Sequence, residues 1–394
     1  MKSEVVVSHE LDDATEAARE LAASIKEKLE LKKNSLGILL CDADLDGATV
    51  TGELKKILGI EVAGMTTLAT LDSGGHAEAR AVLTVLTADD AAFFAAASEP
   101  LGIGYEEKIV AAYRKTLSDE YNSKPVMAFV FCPYGLSFSG DKYPDILTEE
   151  MQGAPAMGGV ASDDYDYERA RVFLSGKEYK DSLVIVSVRG NVKPVFSVRH
   201  VTSRFAERIR RVVDAKDNVV YRVGDETFVR YLEGFGLKTD VEDPLLAFTS
   251  YPMMLTREGG DEAPLMRHIS GLNLEDGSGS FFGDVPTGTL ANICLINKDD
   301  ITAACSESVK ALLEEAEKDR GGYEYSTVFC FSCCGRAMIL GADSDAEGRV
   351  LSEALPAHLR LAGAYCLGEI CPTLYKDGKA SNRFHNCSIT FCMI

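Results

Sequence analysis

The segment FSCCGR, residues 331–336, combines residue types from which a ligand site could be built. It ends an apolar run typical of a buried strand, and α/β proteins bind ligands where strands end. Gly335 would let the backbone approach a ligand, and the guanidinium of Arg336 suits a carboxylate or phosphate. An internal ion pair of Arg336 is an equally good interpretation. Cys333 could be a nucleophile if its pKa were lowered, but no histidine is placed to serve it, and such a cysteine more often packs in a core.

Two further polar groups follow apolar runs. In YCLGEICP, Gly368 could bring the backbone close to a ligand, and Glu369 could meet Arg336 or a ligand amine. In GGVASDDY, Asp163 and Asp164 follow a glycine-bearing strand, where a capping turn is the favoured interpretation. No nucleophile elbow, Walker loop, G-x-G-x-x-G or H-E-x-x-H motif occurs, and the histidines are scattered. We therefore predict no catalytic residue, no metal site and no cofactor.

The segment DADLDG matches a calcium loop in its letters. Asp42, Asp44, Asp46, Gly47 and Glu53 stand at positions 1, 3, 5, 6 and 12 of the EF-hand pattern. An EF-hand needs a helix before this loop, but the preceding LGILLC is typical of a buried strand. Carboxylates at such a place also accept the free N–H groups at the start of a helix. We predict that these aspartates cap a helix and do not bind calcium tightly.

A unit of strand, loop, helix and glycine-bearing strand occurs three times. In each copy the first strand ends at or near a cysteine, and the copies run from Cys41 to Gly64, Cys132 to Gly158 and Cys333 to Gly363. The intervening segments, 169–223 and 245–298, alternate apolar and polar residues, which predicts antiparallel strands and hairpins.

The repeated order favours duplicated halves over a solenoid. We predict a mixed α/β (α+β) fold in which helices pack on mixed sheets that include antiparallel hairpins. We expect two domains of related topology, residues 1–222 and 223–394.

Composition limits the classes of partner. The 394 residues carry 61 acidic and 41 basic side chains, a formal net charge of -20, which repels nucleic acids and anionic lipid surfaces. No apolar run approaches the ~20 residues of a membrane span, and the N-terminus does not resemble a signal peptide. We therefore expect a cytoplasmic protein without membrane insertion. Most of its 11 cysteines lie in apolar runs, which predicts reduced core thiols.

Five segments, in this order and spacing, resemble the FIST family (F-box and intracellular signal transduction domains). They are APAMGGVASDD in the N-terminal half, and PLMRHISGLNLEDGSGSFFGDVPTGTLANICL, FSCCGR, AGAYCLGEICP and RFHNCSITF in the C-terminal half. The segment AGMTTLATLDSGG departs from the family, because it lacks the Gly-Glu stretch that commonly follows the first glycine strand. The resemblance implies a sensory input domain that binds a small molecule, with amino acids or related metabolites as the proposed ligands. Since no F-box precedes the domain and no kinase or cyclase follows it, we expect the signal to pass to a separate protein.

We expect SCCGR, LGE and FHN to converge at one end of the C-terminal unit. Arg336 would then face a ligand carboxylate and Glu369 a ligand amine, with Asn386 close by. Three alternatives stay open. The first is a haem-based sensor of nitric oxide, as reported for some family members, for which His385 is the best axial candidate although nothing in the sequence builds a haem pocket. The second is a thiol-dependent enzyme that uses Cys333, and the third is a scaffolding protein.

Overall fold

A computed structural model of the chain describes residues 1–117, 124–135, 137–201, 208–257, 264–318, 322–376 and 379–394. The strands of the first 200 residues are β1 (Lys2–Ser8), β2 (Asn34–Cys41), β3 (Glu61–Thr66), β4 (Thr70–Asp72), β5 (Gly75–Ala77), β6 (Ala81–Ala88), β7 (Ala91–Ala97), β8 (Met127–Cys132), β9 (Ala156–Val160), β10 (Val172–Leu174), β11 (Lys177–Tyr179), β12 (Val184–Gly190) and β13 (Val195–His200). Those that follow are β14 (Arg210–Lys216), β15 (Val219–Val223), β16 (Glu226–Thr227), β17 (Met253–Thr256), β18 (Leu265–Arg267), β19 (Ile269–Asn273), β20 (Ser278–Phe281), β21 (Leu290–Ile293), β22 (Thr327–Cys333), β23 (Arg360–Cys366), β24 (Glu369–Lys376), β25 (Lys379–His385) and β26 (Ser388–Met393).

The helices begin at the capping signals that the sequence supplies. They are α1 (Ala14–Lys28), α2 (Gly47–Leu58), α3 (Tyr105–Lys115), α4 (Lys142–Glu150), α5 (Phe228–Glu233), α6 (Pro244–Ala247), α7 (Lys298–Glu317), α8 (Cys334–Leu340) and α9 (Ala346–Ala354). Asp13 accepts backbone N–H groups at the start of α1, and Asn297 forms a capping box with Asp300 at the start of α7. Within the described residues, no helix is both long enough and apolar enough to cross a membrane.

The three predicted units are confirmed as parallel strand pairs. They are β2 with β3 (unit 1), β8 with β9 (unit 2) and β22 with β23 (unit 3). Gly64 lies opposite Leu39, Gly158 opposite Val130 and Gly363 opposite Cys330. A Cβ on Gly64 or Gly158 would overlap the carbonyl oxygen of the residue opposite. The repeated glycine is therefore a packing requirement of the strand pair.

Each unit lies at the centre of its own six-stranded sheet, and the three sheets have one plan. The orders are β1-β6-β2-β3-β10-β11 (sheet 1), β7-β12-β8-β9-β24-β25 (sheet 2) and β13-β26-β22-β23-β4-β5 (sheet 3). In each, two antiparallel strands precede the parallel pair and an antiparallel hairpin follows it. Three equivalent sheets, rather than duplicated halves, are what the repeat encodes.

The hairpins are exchanged between the sheets. The hairpin β4–β5 follows unit 1 in sequence but joins sheet 3, β10–β11 follows unit 2 but joins sheet 1, and β24–β25 follows unit 3 but joins sheet 2. Sheets 2 and 3 consequently combine strands from both sides of residue 223. The division into domains 1–222 and 223–394 stays a proposal.

One apolar core lies between the three sheets. It combines residues of all three units, and Phe129 of unit 2 meets Phe329 of unit 3 with ring centroids 4.9 Å apart. The outer faces are covered by α1 and α2 on sheet 1, α3 and α4 on sheet 2, and α7 and α9 on sheet 3. A further sheet, β18-β17-β21-β14-β15-β20-β19 with β16 paired to β15, encloses its own core with α5.

The segment DADLDG connects β2 to α2, so a strand precedes it as predicted. Asp46 is the N-cap of α2 and accepts the N–H of Thr49 at 2.9 Å. Asp42 accepts the N–H of Asp44 at 2.8 Å and that of Ala79 at 3.2 Å. The helix-capping role is confirmed for Asp46, while the absence of tight calcium binding remains a prediction.

Candidate functional site

The ends of the glycine strands from all three units meet at one place. The hydroxyls of Thr67 and Ser162 both donate to the carbonyl of Tyr365, each at 2.7 Å. The N–H of Leu367 donates to the carbonyl of Val160 at 3.0 Å. These bonds join the segments after β3, β9 and β23, so the loops that follow the strands lie side by side.

A small cavity of about 20 Å³ opens beside this junction, room for roughly one or two water molecules. Its lining comes from both halves of the chain: Tyr165, Tyr167, Leu245, His268, Phe282, Cys333, Cys334, Gly335, Met338, Leu367 and Asn386. Among these described lining residues there is no Asp, Glu, Lys or Arg. The structure thus brings together Cys333, Gly335 and Asn386 of the predicted site.

His268 is the residue that sequence reasoning missed. It lies between β18 and β19, is 3% exposed, and places Nδ1 3.9 Å from Sγ of Cys387. A Cβ at Gly335 would lie 3.1 Å from this Nδ1, so the glycine leaves room for the ring. The same Cβ position lies 3.7 Å from Sγ of Cys333, so the ring and this thiol border the same small space. The sequence analysis placed no histidine beside Cys333, but His268 lies there, brought in from the junction of β18 and β19, 65 residues away in sequence.

Two buried polar atoms at the cavity lack hydrogen-bond partners within the described residues. Nε2 of His268 is one, and Oδ1 of Asn386 is the other. Asn386 is 1% exposed and its Nδ2 donates to the carbonyl of His385 at 3.0 Å. Since leaving such an atom unpaired costs about 1–3 kcal/mol, a ligand or an ordered water is expected to pair with them.

Cys333 lines the cavity, and Cys387 follows the lining residue Asn386 in sequence. The neighbouring Cys387 thiol and burial raise the pKa of Cys333. The resting group is therefore a thiol, not the thiolate that nucleophilic attack requires. Cys387 has φ 55°, a left-handed conformation that is uncommon for a residue with a side chain and often marks a functional turn.

The two predicted aspartates have separate roles. Asp163 is buried and accepts the N–H groups of Tyr167 and Arg169, each at 3.0 Å, which folds the loop that presents Tyr165 and Tyr167 to the cavity. Asp164 is exposed and pairs with Arg169 at 2.6 Å. Asp163 positions the cavity wall, and Asp164 lies outside the lining.

Arg336 faces the interior of the protein. Its Nε and Nη2 donate to Oε1 of Glu347 at 3.1 and 2.7 Å, and Nη2 also donates to the carbonyl of Ile301 at 3.1 Å. Glu347 in turn accepts the hydroxyls of Ser332 at 2.9 Å and Tyr365 at 2.8 Å. The internal ion pair is the interpretation that the structure supports, and its carboxylate is that of Glu347 rather than the expected Glu369.

Glu369 and Gly368 also lie outside the lining. The Glu369 carboxyl is fully buried and accepts the hydroxyl of Ser388 at 2.6 Å, and burial raises its pKa well above the usual range. A neutral carboxyl gives no counter-charge to a ligand amine. Gly368 packs against the ring of Phe384, and its carbonyl accepts the N–H of Val160 at 2.9 Å.

Family models cover most of the chain. The FIST N domain matches residues 35–226, and the FIST C domain matches residues 226–372. The chain belongs to the FIST family. FIST domains are sensory domains of signal transduction, and the site described above combines side chains from both matched regions of this FIST protein.

Other comparisons add little to this assignment. No curated protein matches the FIST protein. Among solved structures, cyanuric acid hydrolase from A. caulinodans aligns over 99% of this chain and 98% of its own, at 8% identity and a TM-score of 0.35. PurLQS from Thermotoga maritima aligns over 83% and 74%, at 10% identity and a TM-score of 0.22. Scores this low carry no argument about function.

His385, the best axial candidate of the haem alternative, does not fit that role. His385 is fully buried, with Nε2 3.0 Å from the carbonyl oxygen of Cys371 and Nδ1 3.1 Å from Nε2 of His200. Both ring nitrogens are thus engaged. The cavity beside His268 is far too small for a porphyrin. Neither of these two places offers haem a fitting site, and the failure of the FIST protein to bind haem tightly remains a prediction.

Acid is expected to destabilise the FIST protein partly through His385. Burial lowers the pKa of His385 from 6.5 to about 3. Between these values the unfolded chain binds a proton that the folded chain does not, so stability falls as the pH falls through this window, by roughly 1.4 kcal/mol per unit of pKa difference. Urea unfolding at about pH 7 and about pH 4.5 would measure the loss.

A histidine variant isolates this contribution from those of the buried carboxyls. His385→Asn should show a smaller loss of unfolding free energy between the two pH values than the unmodified protein. His358→Asn, at an exposed position, should show the same loss as the unmodified protein. Equal losses in all three proteins would contradict the assignment to His385.

Proposed function

We propose that this FIST protein is a small-molecule sensor whose input site is the cavity formed by Cys333, His268 and Asn386. The observation that carries the proposal is the pair of buried, unpartnered atoms at that cavity, Nε2 of His268 and Oδ1 of Asn386. Such atoms are rare in folded proteins unless a ligand or water pairs with them. Signalling through a separate partner protein and a cytoplasmic location are parts of the same proposal.

The lining favours an uncharged ligand. A carboxylate would meet no cationic side chain there, because Arg336 is engaged by Glu347 away from the cavity. Oδ1 of Asn386 is an acceptor and needs an N–H or O–H donor from the ligand. We therefore propose a neutral metabolite related to amino acids, such as an amide, rather than an amino-acid zwitterion.

The size of the cavity requires the wall to move when a ligand larger than two waters enters. The wall facing Cys333 is formed by Tyr165 and Tyr167, which belong to one loop, and by Leu245 of the short helix α6. Tyr165 and Tyr167 both have positive φ values, 73° and 62°. A strained loop that must shift on binding offers a route by which occupancy changes the surface seen by a partner.

A binding screen with matched neutral and charged compounds tests the proposal. We expect some N-acetyl amino-acid amides to raise the melting temperature, and the corresponding N-acetyl amino acids, which carry a carboxylate, to have little effect. Calorimetry should show that Asn386→Ala weakens binding of the active amides about tenfold, the effect of one lost hydrogen bond of roughly 1–1.5 kcal/mol. Asn191→Ala, at an exposed position, is the control and should bind normally. Preference for the carboxylates, or unchanged affinity in Asn386→Ala, would refute the proposed site.

A second candidate is a thiol-dependent enzyme, favoured by the position of His268 beside Cys333. A cysteine that ends a strand, an imidazole and an asparagine at one cavity are the groups used by thiol acyl-transfer enzymes. The raised pKa of Cys333 speaks against an activated nucleophile in the resting protein. Turnover of activated esters that is lost in Cys333→Ala would favour the enzyme over the sensor.

A further inference from the structure

The cavity beside Cys333 has the composition of a redox site. Cys333 ends β22, and Cys387 lies in the tight turn between β25 and β26, so the two thiols belong to different segments that meet only in the folded chain. Nδ1 of His268 lies 3.9 Å from Sγ of Cys387, and the same ring borders Sγ of Cys333 at Gly335, where a Cβ would lie 3.1 Å from Nδ1 and 3.7 Å from that sulfur. The cavity that Cys333 lines has room for little more than one or two waters, which is the size class of hydrogen peroxide.

From this arrangement we infer that Cys333 and Cys387 form a reversible disulfide when the protein meets hydrogen peroxide, with His268 as the proton acceptor. This disulfide would form beside the cavity proposed as the sensor's input site. The inference that it regulates ligand binding rests on that proposed function, whereas the inference that the disulfide forms does not.

The chemistry balances with the groups present. His268 takes the proton of the Cys333 thiol, and the thiolate attacks one oxygen of the peroxide, which breaks the O–O bond and gives a sulfenic acid. The leaving hydroxide takes the proton back and becomes water. The sulfur of Cys387 then attacks the sulfenic sulfur, the S–O bond breaks, and hydroxide leaves with the Cys387 proton as a second water. Two thiols are oxidised by two electrons, and one peroxide is reduced to two waters.

The reaction is expected to be slow at neutral pH. The titratable groups near Cys333 are His268, Cys387, Cys334, Cys366, Tyr165 and Glu369. The Cys387 thiol and burial raise the pKa of Cys333, whereas His268 lowers it. The rate should therefore rise about tenfold per pH unit below the pKa of the thiol, because only the thiolate reacts.

A disulfide here would change the cavity directly. It would tie the start of α8 to the β25–β26 turn, next to Asn386, and would remove the thiol that His268 contacts. The affinity of the oxidised protein for the active amides should therefore differ from that of the reduced protein. Reduction of the disulfide by a dithiol would restore the original affinity.

Peptide mapping of the native, full-length protein tests the disulfide itself. After treatment with hydrogen peroxide and alkylation of the remaining thiols, we expect a dithiothreitol-reversible cross-link between the peptides of Cys333 and Cys387. It should form faster at about pH 9 than at about pH 7, and His268→Ala should slow it several-fold at the lower pH. Cys387→Ser should stop Cys333 at a sulfenic acid that dimedone traps.

Cys41 and Cys132 provide matched controls, because they are buried at the ends of the first strands of units 1 and 2. Cys41→Ser and Cys132→Ser should form the cross-link at the normal rate. Oxidation of Cys41 or Cys132 as fast as that of Cys333, or a cross-link from Cys333 to another cysteine, would overturn the inference. Near-ultraviolet circular dichroism checks that each variant is folded. A cross-link that forms while amide binding fails would disprove the proposed function alone, and normal amide binding without the cross-link would disprove the inference alone.

Discussion

Arg336→Met is expected to lower the free energy of unfolding by about 3–5 kcal/mol. The change leaves the carboxylate of Glu347 buried without its cation, and removing one partner of a buried ion pair costs that much. Arg336 and Glu347 are 1% and 0% exposed, so solvent cannot take over the charge. Urea unfolding followed by circular dichroism measures the loss as a shift of the midpoint.

An exposed arginine is the matched control. Arg349 pairs with Asp343 at 2.6 Å, but its side chain is 51% exposed, and Arg349→Met should cost less than about 1 kcal/mol. The double variant Arg336→Met/Glu347→Gln should recover most of the loss, because the neutral amide still accepts the hydroxyls of Ser332 and Tyr365. A stable Arg336→Met protein that fails to bind ligand would instead make Arg336 a binding residue.

Arg336 and Glu369 show what local sequence can and cannot predict. The residue types predicted correctly that the guanidinium of Arg336 would pair with a carboxylate. Whether Arg336 pairs with Glu347, eleven residues away, or with Glu369 depends on how α8 and α9 pack on sheet 3. No sequence motif predicts that packing. A buried glutamate in the helix DAEGRVLSEA was the available signal, since a carboxylate on the inner face of a helix needs a partner.

Most of the fold was predictable because it is local. The parallel strand pairs, their connecting helices and the helix caps follow from patterns within about 30 residues, and the structure confirms them. The exchange of hairpins between sheets was not predictable, because a short strand such as β4 could pair with any exposed sheet edge of suitable register. The position of His268 depends on the same long-range assembly.

The candidate site was therefore predicted only in part. Cys333 and Gly335 line the cavity because they end and follow β22 of unit 3, and Asn386 does so because it precedes β26, the neighbour of β22 in sheet 3. Asp163 contributes indirectly through the loop that it folds, and Gly368 serves the packing of sheet 2. The segment MRHIS carried His268, but a histidine among alternating residues is more often a core residue than a functional one, and its sequence distance from Cys333 hid the contact.

Gly158→Ala is expected to cost about 3 kcal/mol or more, at or above the upper end of what overpacking usually costs. The new Cβ would overlap the carbonyl oxygen of Val130 on the neighbouring parallel strand, and a backbone atom within a ladder cannot turn aside as a side chain can. Gly64→Ala should have an effect of the same size, because its Cβ would meet the carbonyl oxygen of Leu39 in the same register.

Two other glycines turn this expectation into a graded series. At Gly363 the new Cβ would lie 2.8 Å from the carbonyl oxygen of Cys330, a milder overlap, so Gly363→Ala should lose less stability than Gly158→Ala. Gly102 has no atom within 4 Å of such a Cβ, and Gly102→Ala should leave the unfolding midpoint almost unchanged. Urea unfolding of the four variants gives the order directly. If Gly158→Ala were as stable as Gly102→Ala, the glycine shared by the three units would not be a packing requirement, and their equivalence would rest on sheet order alone.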